Sequence, residues 1–268
     1  MNIPCLLLIL VITLVLYNVL KNKKETFDNK ISNILLTTYF CKKKDPQRKN
    51  FAPCDDIKYI KPWYESIKKL GLYGIVFHDG LSSNFINKYE TEKIKFVKVD
   101  SSKFKYSLND QRYFIYLDYL KKNQNIKKVF MTDGNDVTVI QNPFEKLNLN
   151  KINVGSELSQ IYKNKWIQEK IKQYNSNSKL KFNSNIQDIV YNAGILGGER
   201  NLVINFLQNM IIKFNNMNNL QIRQNLNMIV FNNVIYNDLK NNVNTGEPLH
   251  SRYKKFENNR KDICFIHK

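Results

Sequence analysis

The stretch Val129-Phe130-Met131-Thr132-Asp133-Gly134-Asn135-Asp136-Val137-Thr138-Val139-Ile140 sets two apolar runs around four polar residues. A short apolar run bounded by turn residues reads as a buried strand. In open α/β sheets ligands bind beyond the carboxyl ends of the strands, so the polar end of such a run is where chemistry is sought. Asp133 and Asp136 would repel each other at the mouth of a buried strand unless a cation sat between them, and hard oxygen donors suit Mg²⁺ or Mn²⁺. The same four residues also read as an ordinary turn between two strands, with Gly134 and Asn135 supplying the dihedrals. Taken alone, the stretch leaves both readings open.

Outward from it, short runs rich in β-branched and aromatic residues alternate with longer helical patterns, the layout of βαβ units and a mostly parallel sheet flanked by helices. The predicted strands are Ile34 to Phe40, Gly74 to His78, Ile94 to Val99, Lys127 to Thr132, Ile152 to Gly155 and Gly194 to Gly197. The predicted helices are Ile57 to Leu70, Asn84 to Glu90, Gln111 to Lys122, Ile161 to Tyr174, Asn201 to Phe214 and Leu220 to Leu239. Trp63 and Trp166 fall on helical patterns and read as core. Asn175 to Asn185 is a polar Asn/Ser/Lys stretch that reads as a mobile loop. No internal repeat or Pro/Gly linker divides the chain, so residues 31–268 read as one domain.

With 268 residues, 43% hydrophobic and 12% aromatic, the chain can bury a sizeable core and is no disordered segment. Its net charge of +19 would attract nucleic acid, anionic lipid or a phosphorylated small molecule. Composition weakens that attraction as evidence, because 36 Lys, 39 Asn and 29 Ile are all residues with A/T-rich codons. Only 6 of the 42 cations are Arg, the residue whose planar fork serves phosphate and base recognition, so no nucleic-acid partner is expected.

Ile3 to Leu20 is an apolar run broken only by Pro4, Thr13 and Asn18. Eighteen helical residues span about 27 Å, enough to cross a bilayer, and no basic n-region precedes the run. Residues 1–24 therefore read as an N-terminal transmembrane anchor with its basic flank, making the chain a single-pass membrane protein. Lys21, Lys23, Lys24 and Lys30 follow the run and place the domain on the cytosolic side. No Asn-x-Ser/Thr site occurs among the Asn residues, which agrees. Cys41, Cys54 and Cys264 lack metal-ligand spacing and read as reduced thiols, with a bridge from Cys41 to Cys54 as the alternative for a lumenal domain.

Phe130 to Val137, followed by Asn142-Pro143-Phe144, resembles the metal-binding segment of GT-A glycosyltransferases, which use nucleotide-diphosphate sugars. The Asp-x-x-Asp spacing is similar to that of collagen galactosyl- and glucosyltransferase domains and of glycosyltransferase-like proteins of large DNA viruses. Tyr191-Asn192-Ala193-Gly194-Ile195-Leu196-Gly197-Gly198 resembles the segment those enzymes place under donor sugar and acceptor. Gly246 to Ser251 and the terminal Ile266-His267-Lys268 resemble their closing region. The resemblance spans about residues 34 to 268 and implies a GT-A (Rossmann-like) fold that transfers a sugar from a nucleotide-diphosphate donor to a glycan, protein or lipid acceptor.

It also implies roles. Asp133 and Asp136, with Asn135 as a neutral helper and His267 as a further ligand, would hold Mn²⁺ or Mg²⁺ against the donor phosphates. Many relatives have Asp-x-Asp, so Asp133 could pair with Asn135 or Asp136; Asp136 is preferred. Arg48, Arg112 and Lys268 are candidates for the diphosphate or ribose, and Thr37, Tyr39 and Asp79 would border the nucleobase. Asn225-Leu226-Asn227-Met228 stands where relatives carry a carboxylate. The activating or positioning role then passes to Glu157, with Asp188 second and Asn192 beside the sugar. Two other functions fit the same residues. A metal-dependent nucleotidyl- or phosphotransferase would need the cation without moving a sugar, and an inactive basic scaffold would bind membrane without it.

Overall fold

The structure, a computed structural model, describes residues 12–13 and 32–268 apart from 178, 184, 186 and 241. Apart from Ile12 and Thr13, the expected anchor and basic flank lie outside the described residues. Among those described, no helix is long and apolar enough to cross a membrane.

Seven strands form one sheet: β1 (Asn33–Tyr39), β2 (Gly74–His78), β3 (Ile94–Lys98), β4 (Lys128–Thr132), β6 (Ile152–Gln160), β7 (Ile189–Glu199) and β8 (Val243–Asn244). Their order is β3-β2-β1-β4-β7-β6-β8. β1 to β4 are mutually parallel, and only β7 runs against its neighbours. β2 is buried throughout, which is why its sequence is a continuous apolar run rather than an alternating one. β6 and β7 extend well past the predicted Ile152 to Gly155 and Gly194 to Gly197, because polar residues inside each are held by the long ladder between them. The sheet packs where β7 crosses β4 by leaving out a side chain: a Cβ on Gly197 would overlap the Phe130 ring.

The helices are α1 (Lys61–Lys69), α2 (Ser83–Tyr89), α3 (Leu108–Lys122), α4 (Pro143–Lys146), α5 (Lys165–Asn175), α6 (Arg200–Asn215), α7 (Asn219–Ile222) and α8 (Asn227–Asn233). Ser82 and Ser107 cap α2 and α3 by accepting from the backbone of Phe85 and Asp110. One core layer includes Tyr113, Tyr116, Phe206, Phe214 and Phe231; the other, on the opposite side of the sheet, is built on Trp63, Ile67 and Phe265. The predicted helix Leu220 to Leu239 is instead three pieces, α7, α8 and a π turn at Val234–Asp238. Asn225 takes a positive φ of 52° between α7 and α8, a conformation that interrupts a helix and that Asn tolerates. In the predicted Asn175 to Asn185 loop, Leu180 is buried and Asn175 Oδ1 accepts from Phe182 N–H, so the described part packs onto the domain.

A second sheet pairs β5 (Val137–Val139) with β9 (Phe265–His267), antiparallel, Val137 opposite His267. The β5 segment reads as a strand in the turn alternative for residues 133–136, while no strand is assigned at Phe265–His267 from the sequence. The loop after β1 doubles back so that Cys41 and Cys54, with Cα atoms 5.5 Å apart, form a disulfide. The reading of three reduced thiols is corrected at those two positions, while Cys264 is free and buried.

Asp110, in the first turn of α3, is buried, and one carboxylate oxygen has no partner. Burial pushes its pKa from 3.8 up to about 7. A carboxyl whose folded pKa is raised contributes stability below its unfolded pKa and loses it as pH climbs toward the folded value. Between pH 5 and pH 8 the wild-type chain should therefore lose about 1 to 3 kcal/mol more stability than Asp110→Asn, measured by urea unfolding at both pH values. Equal losses would show that Asp110 does not ionise in that window.

Candidate active site

β4 delivers Asp133 beyond its last residue, and the turn Gly134-Asn135 returns the chain into β5 with Asp136 at its start. Gly134 is required by close approach, since a Cβ there would lie 2.8 Å from Thr37 Oγ1. Asp133 is fixed by its backbone N–H, which donates to Gly194 O at 2.9 Å, and by a short ion pair with Arg112. Arg112 is itself buried and donates to Ala193 O at 3.0 Å and Tyr113 Oη at 3.2 Å.

The β5–β9 ladder then places His267 beside Asp136, with Nε2 3.7 Å from Asp136 Oδ1. Ligand atoms of Asp133, Asp136 and His267 all lie within 4.8 Å of one another. Gly194 makes room for the imidazole: a Cβ there would overlap His267 Cε1 and Nε2. Tyr253 packs edge-on against the same ring with centroids 4.7 Å apart.

Burial pushes the His267 pKa down to about 4, so at neutral pH the ring is uncharged and has a lone pair to offer. Burial, and then repulsion from Asp133, raise Asp136 above the usual carboxylate range. Asp136 Oδ1 is buried without a hydrogen-bond partner. An orphaned carboxylate oxygen, a second carboxylate and a neutral imidazole fit a divalent cation, and the nitrogen donor inclines the set toward Mn²⁺ over Mg²⁺.

This trio sits in a cavity of about 680 Å³. Glu157, on β6, lines it and accepts from Asn192 Nδ2 at 3.2 Å, while Asn192 Oδ1 accepts from Gly194 N–H at 2.7 Å. Burial raises the Glu157 pKa. Asn135 and Arg48 also line the cavity. Lys268 does not, but its backbone N–H donates to Asp136 O at 2.9 Å.

The remaining candidates lie outside the lining, each for a visible reason. Thr37 is buried and donates to Thr132 O, tying β1 to the end of β4. Tyr39 is buried and donates to the carbonyls of Pro53 and Asp56. The Asp79 carboxylate accepts from the backbone N–H groups of Cys41 and Lys42. Asp188 caps its own turn by accepting from Asn185 N–H. Sequence reading missed Tyr59, which lines the cavity and stacks on Tyr39 with centroids 4.7 Å apart. It also misassigned Trp166 to the core. Trp63 is fully buried and donates to Thr132 Oγ1, whereas Trp166 is 41% exposed and lines the cavity.

No family model matches the chain, and no curated protein matches it by sequence. Among solved structures, the galactosyltransferase LgtC in complex with donor and acceptor sugar analogs matches with a TM-score of 0.53 and 13% identity. The match covers 87% of this chain and 86% of that one. An active-site mutant of LgtC matches with the same figures. At that identity the likeness establishes the fold, which is GT-A: an α/β domain with a mostly parallel central sheet flanked by helices.

If Gly194 serves to admit the imidazole, Gly194→Ala should weaken Mn²⁺ binding by about tenfold or more, read from free Mn²⁺ by electron paramagnetic resonance. Asp136→Asn should weaken it further. Unchanged Mn²⁺ affinity in both variants, with folding verified by circular dichroism, would remove the cation from this site.

Proposed function

We propose that this chain is a metal-dependent glycosyltransferase that moves a sugar from a nucleotide-diphosphate donor to an acceptor hydroxyl. The observation that carries the reading is the trio Asp133, Asp136 and His267, set in a large polar cavity beyond the carboxyl end of β4. The LgtC likeness supports it, since that enzyme was crystallised with donor and acceptor sugar analogs on the same fold. The finer kinship with collagen-modifying and viral proteins rests on the motifs at residues 130–144 and 191–198.

Asp133, Asp136 and His267 would hold Mn²⁺ or Mg²⁺, which supplies positive charge to the departing diphosphate. Arg112 keeps Asp133 oriented rather than reaching for phosphate itself. Arg48, whose charge acts on both Asp136 and Tyr59, lies on the donor side. The cavity side of Tyr59, backed by Tyr39, offers a stacking surface for the base. The bond from the anomeric carbon to the diphosphate oxygen breaks with its electron pair leaving on the nucleotide, and an acceptor oxygen bonds to that carbon. Glu157, held by Asn192 Nδ2 and with its pKa raised by burial, is the cavity carboxylate that would take the acceptor proton; Asp45 instead orders its own turn by accepting from the backbone N–H groups of Gln47 and Arg48.

The full chain should release a nucleoside diphosphate from one of UDP-, GDP- or dTDP-sugars in the presence of Mn²⁺. Asp133→Ala and Asp136→Ala should each lower that rate at least about 100-fold. Release of a nucleoside monophosphate or of inorganic phosphate would favour nucleotidyl or phosphoryl transfer instead. No turnover and no Mn²⁺-dependent nucleotide binding would leave the membrane-surface scaffold.

The Cys41–Cys54 bridge favours a second assignment, that the domain resides in an oxidising compartment, against the cytosolic side suggested by the lysine flank. Denatured but unreduced protein from its native source should then take up maleimide at Cys5 and Cys264 only. Labelling of all four cysteines would restore the cytosolic placement.

A further inference from the structure

α5 is amphipathic, turning Ile167 and Tyr174 into the core and leaving Trp166 in the cavity wall. One turn on, Lys170 Nζ lies 5.9 Å from the centroid of the indole. A half-exposed indole beside polar groups presents a flat face that stacks on the C–H side of a pyranose ring.

The cations around it are distributed unevenly. Arg48 and Lys49 are consecutive, yet Arg48 acts on Asp136 and Tyr59 whereas Lys49 acts on Lys170. Lys49 is held by a turn in which it takes a positive φ of 60° and donates its backbone N–H to Asp45 O. Lys170 spends two of its three N–H donors on Gln224 O and Gln173 Oε1, which fix the ammonium and leave one donor over. Arg223, adjacent to Gln224, lines the same cavity. Among the described residues none of Lys49, Lys170 and Arg223 makes an ion pair. Burial, and then Lys49, lower the Lys170 pKa, against the smaller opposing pull of Asp110 and Glu169. The cation trio uses none of these three residues.

We propose that Trp166, Lys49, Lys170 and Arg223 form the acceptor subsite and select an anionic sugar, its ring stacked on Trp166 and its phosphate or carboxylate held by the three cations. This assignment rests on the glycosyltransferase reading for its role in catalysis, but not for its binding chemistry.

The chain has two tryptophans, and Trp63 is sealed in the core, so ligand-induced quenching reports on Trp166. The full chain would be titrated with glucose 6-phosphate, glucuronic acid, glucose and inorganic phosphate. One or both anionic sugars should quench at concentrations at least tenfold lower than glucose or phosphate, and the better of the two identifies the charged group. The response should vanish in Trp166→Phe and shift at least tenfold in Lys170→Gln and Arg223→Gln. Equal responses to glucose and glucose 6-phosphate, saturation by inorganic phosphate alone, or no response to any probe would overturn the proposal. Nucleotide release by the same chain without acceptor reads donor chemistry separately. Release without a response to anionic sugars overturns the subsite alone. Anionic-sugar binding without release from any donor overturns the transferase reading, and the acceptor role with it.

Discussion

Two carboxylates separated by a two-residue turn at the end of a buried strand are the constraint around which this domain is arranged. Asp133 and Asp136 repel each other, and burial strengthens the repulsion by removing water. Arg112 neutralises part of it from beneath, through its contact with Asp133. Asp136 has no such partner, and its free oxygen faces the ring of His267. The β5–β9 ladder brings that histidine across more than a hundred residues of sequence, and the missing side chain at Gly194 lets it settle. Arg48 acts on Asp136 without hydrogen-bonding its buried oxygen, and on the proposed reading a cation fills that place between the two acids.

The opposite wall of the cavity depends on the loop between β1 and α1. Its disulfide, the Tyr39 hydroxyl on Pro53 and Asp56, and Asp79 on the amides of Cys41 and Lys42 bind the loop to the ends of β1 and β2. Residues read from the sequence as nucleobase contacts thus hold the segment that presents Tyr59, Arg48 and Lys49. Their work is positional.

Much of the parallel half of the sheet was legible, because strands buried on both faces appear as apolar runs whatever their neighbours. Asp133 and Asp136 were legible because a strand end followed by acids is a local pattern. The direction of β7 was not, since Gly194 to Gly197 looks alike read along either orientation of the strand. Neither was the break at Asn225, where one left-handed residue divides a continuous helical period. Trp166 was misread for a related reason: periodicity shows that α5 has an apolar side but not where that side ends, and Trp166 lies at its margin. His267 carries no local signal at all; only resemblance to a closing segment marked it. Cys41 and Cys54 needed the path of the loop, which a sequence separation of 13 does not dictate.

The six arginines show how a charge of +19 can coexist with so selective a site. Arg200 donates to Leu120 O and joins α6 to α3. Arg252 and Arg260 pair with Glu257, Glu247 and Asp262 in the segment leading into β9. These pairs lie at the solvent boundary, where water and salt screen them, and they tie together the segment that leads into β9. Arg112 is committed to Asp133. Arg48 and Arg223 are left, both lining the cavity and neither in an ion pair among the described residues. The abundant lysines can follow composition, whereas the scarce guanidinium groups either fix the elements that build the site or stand open within it.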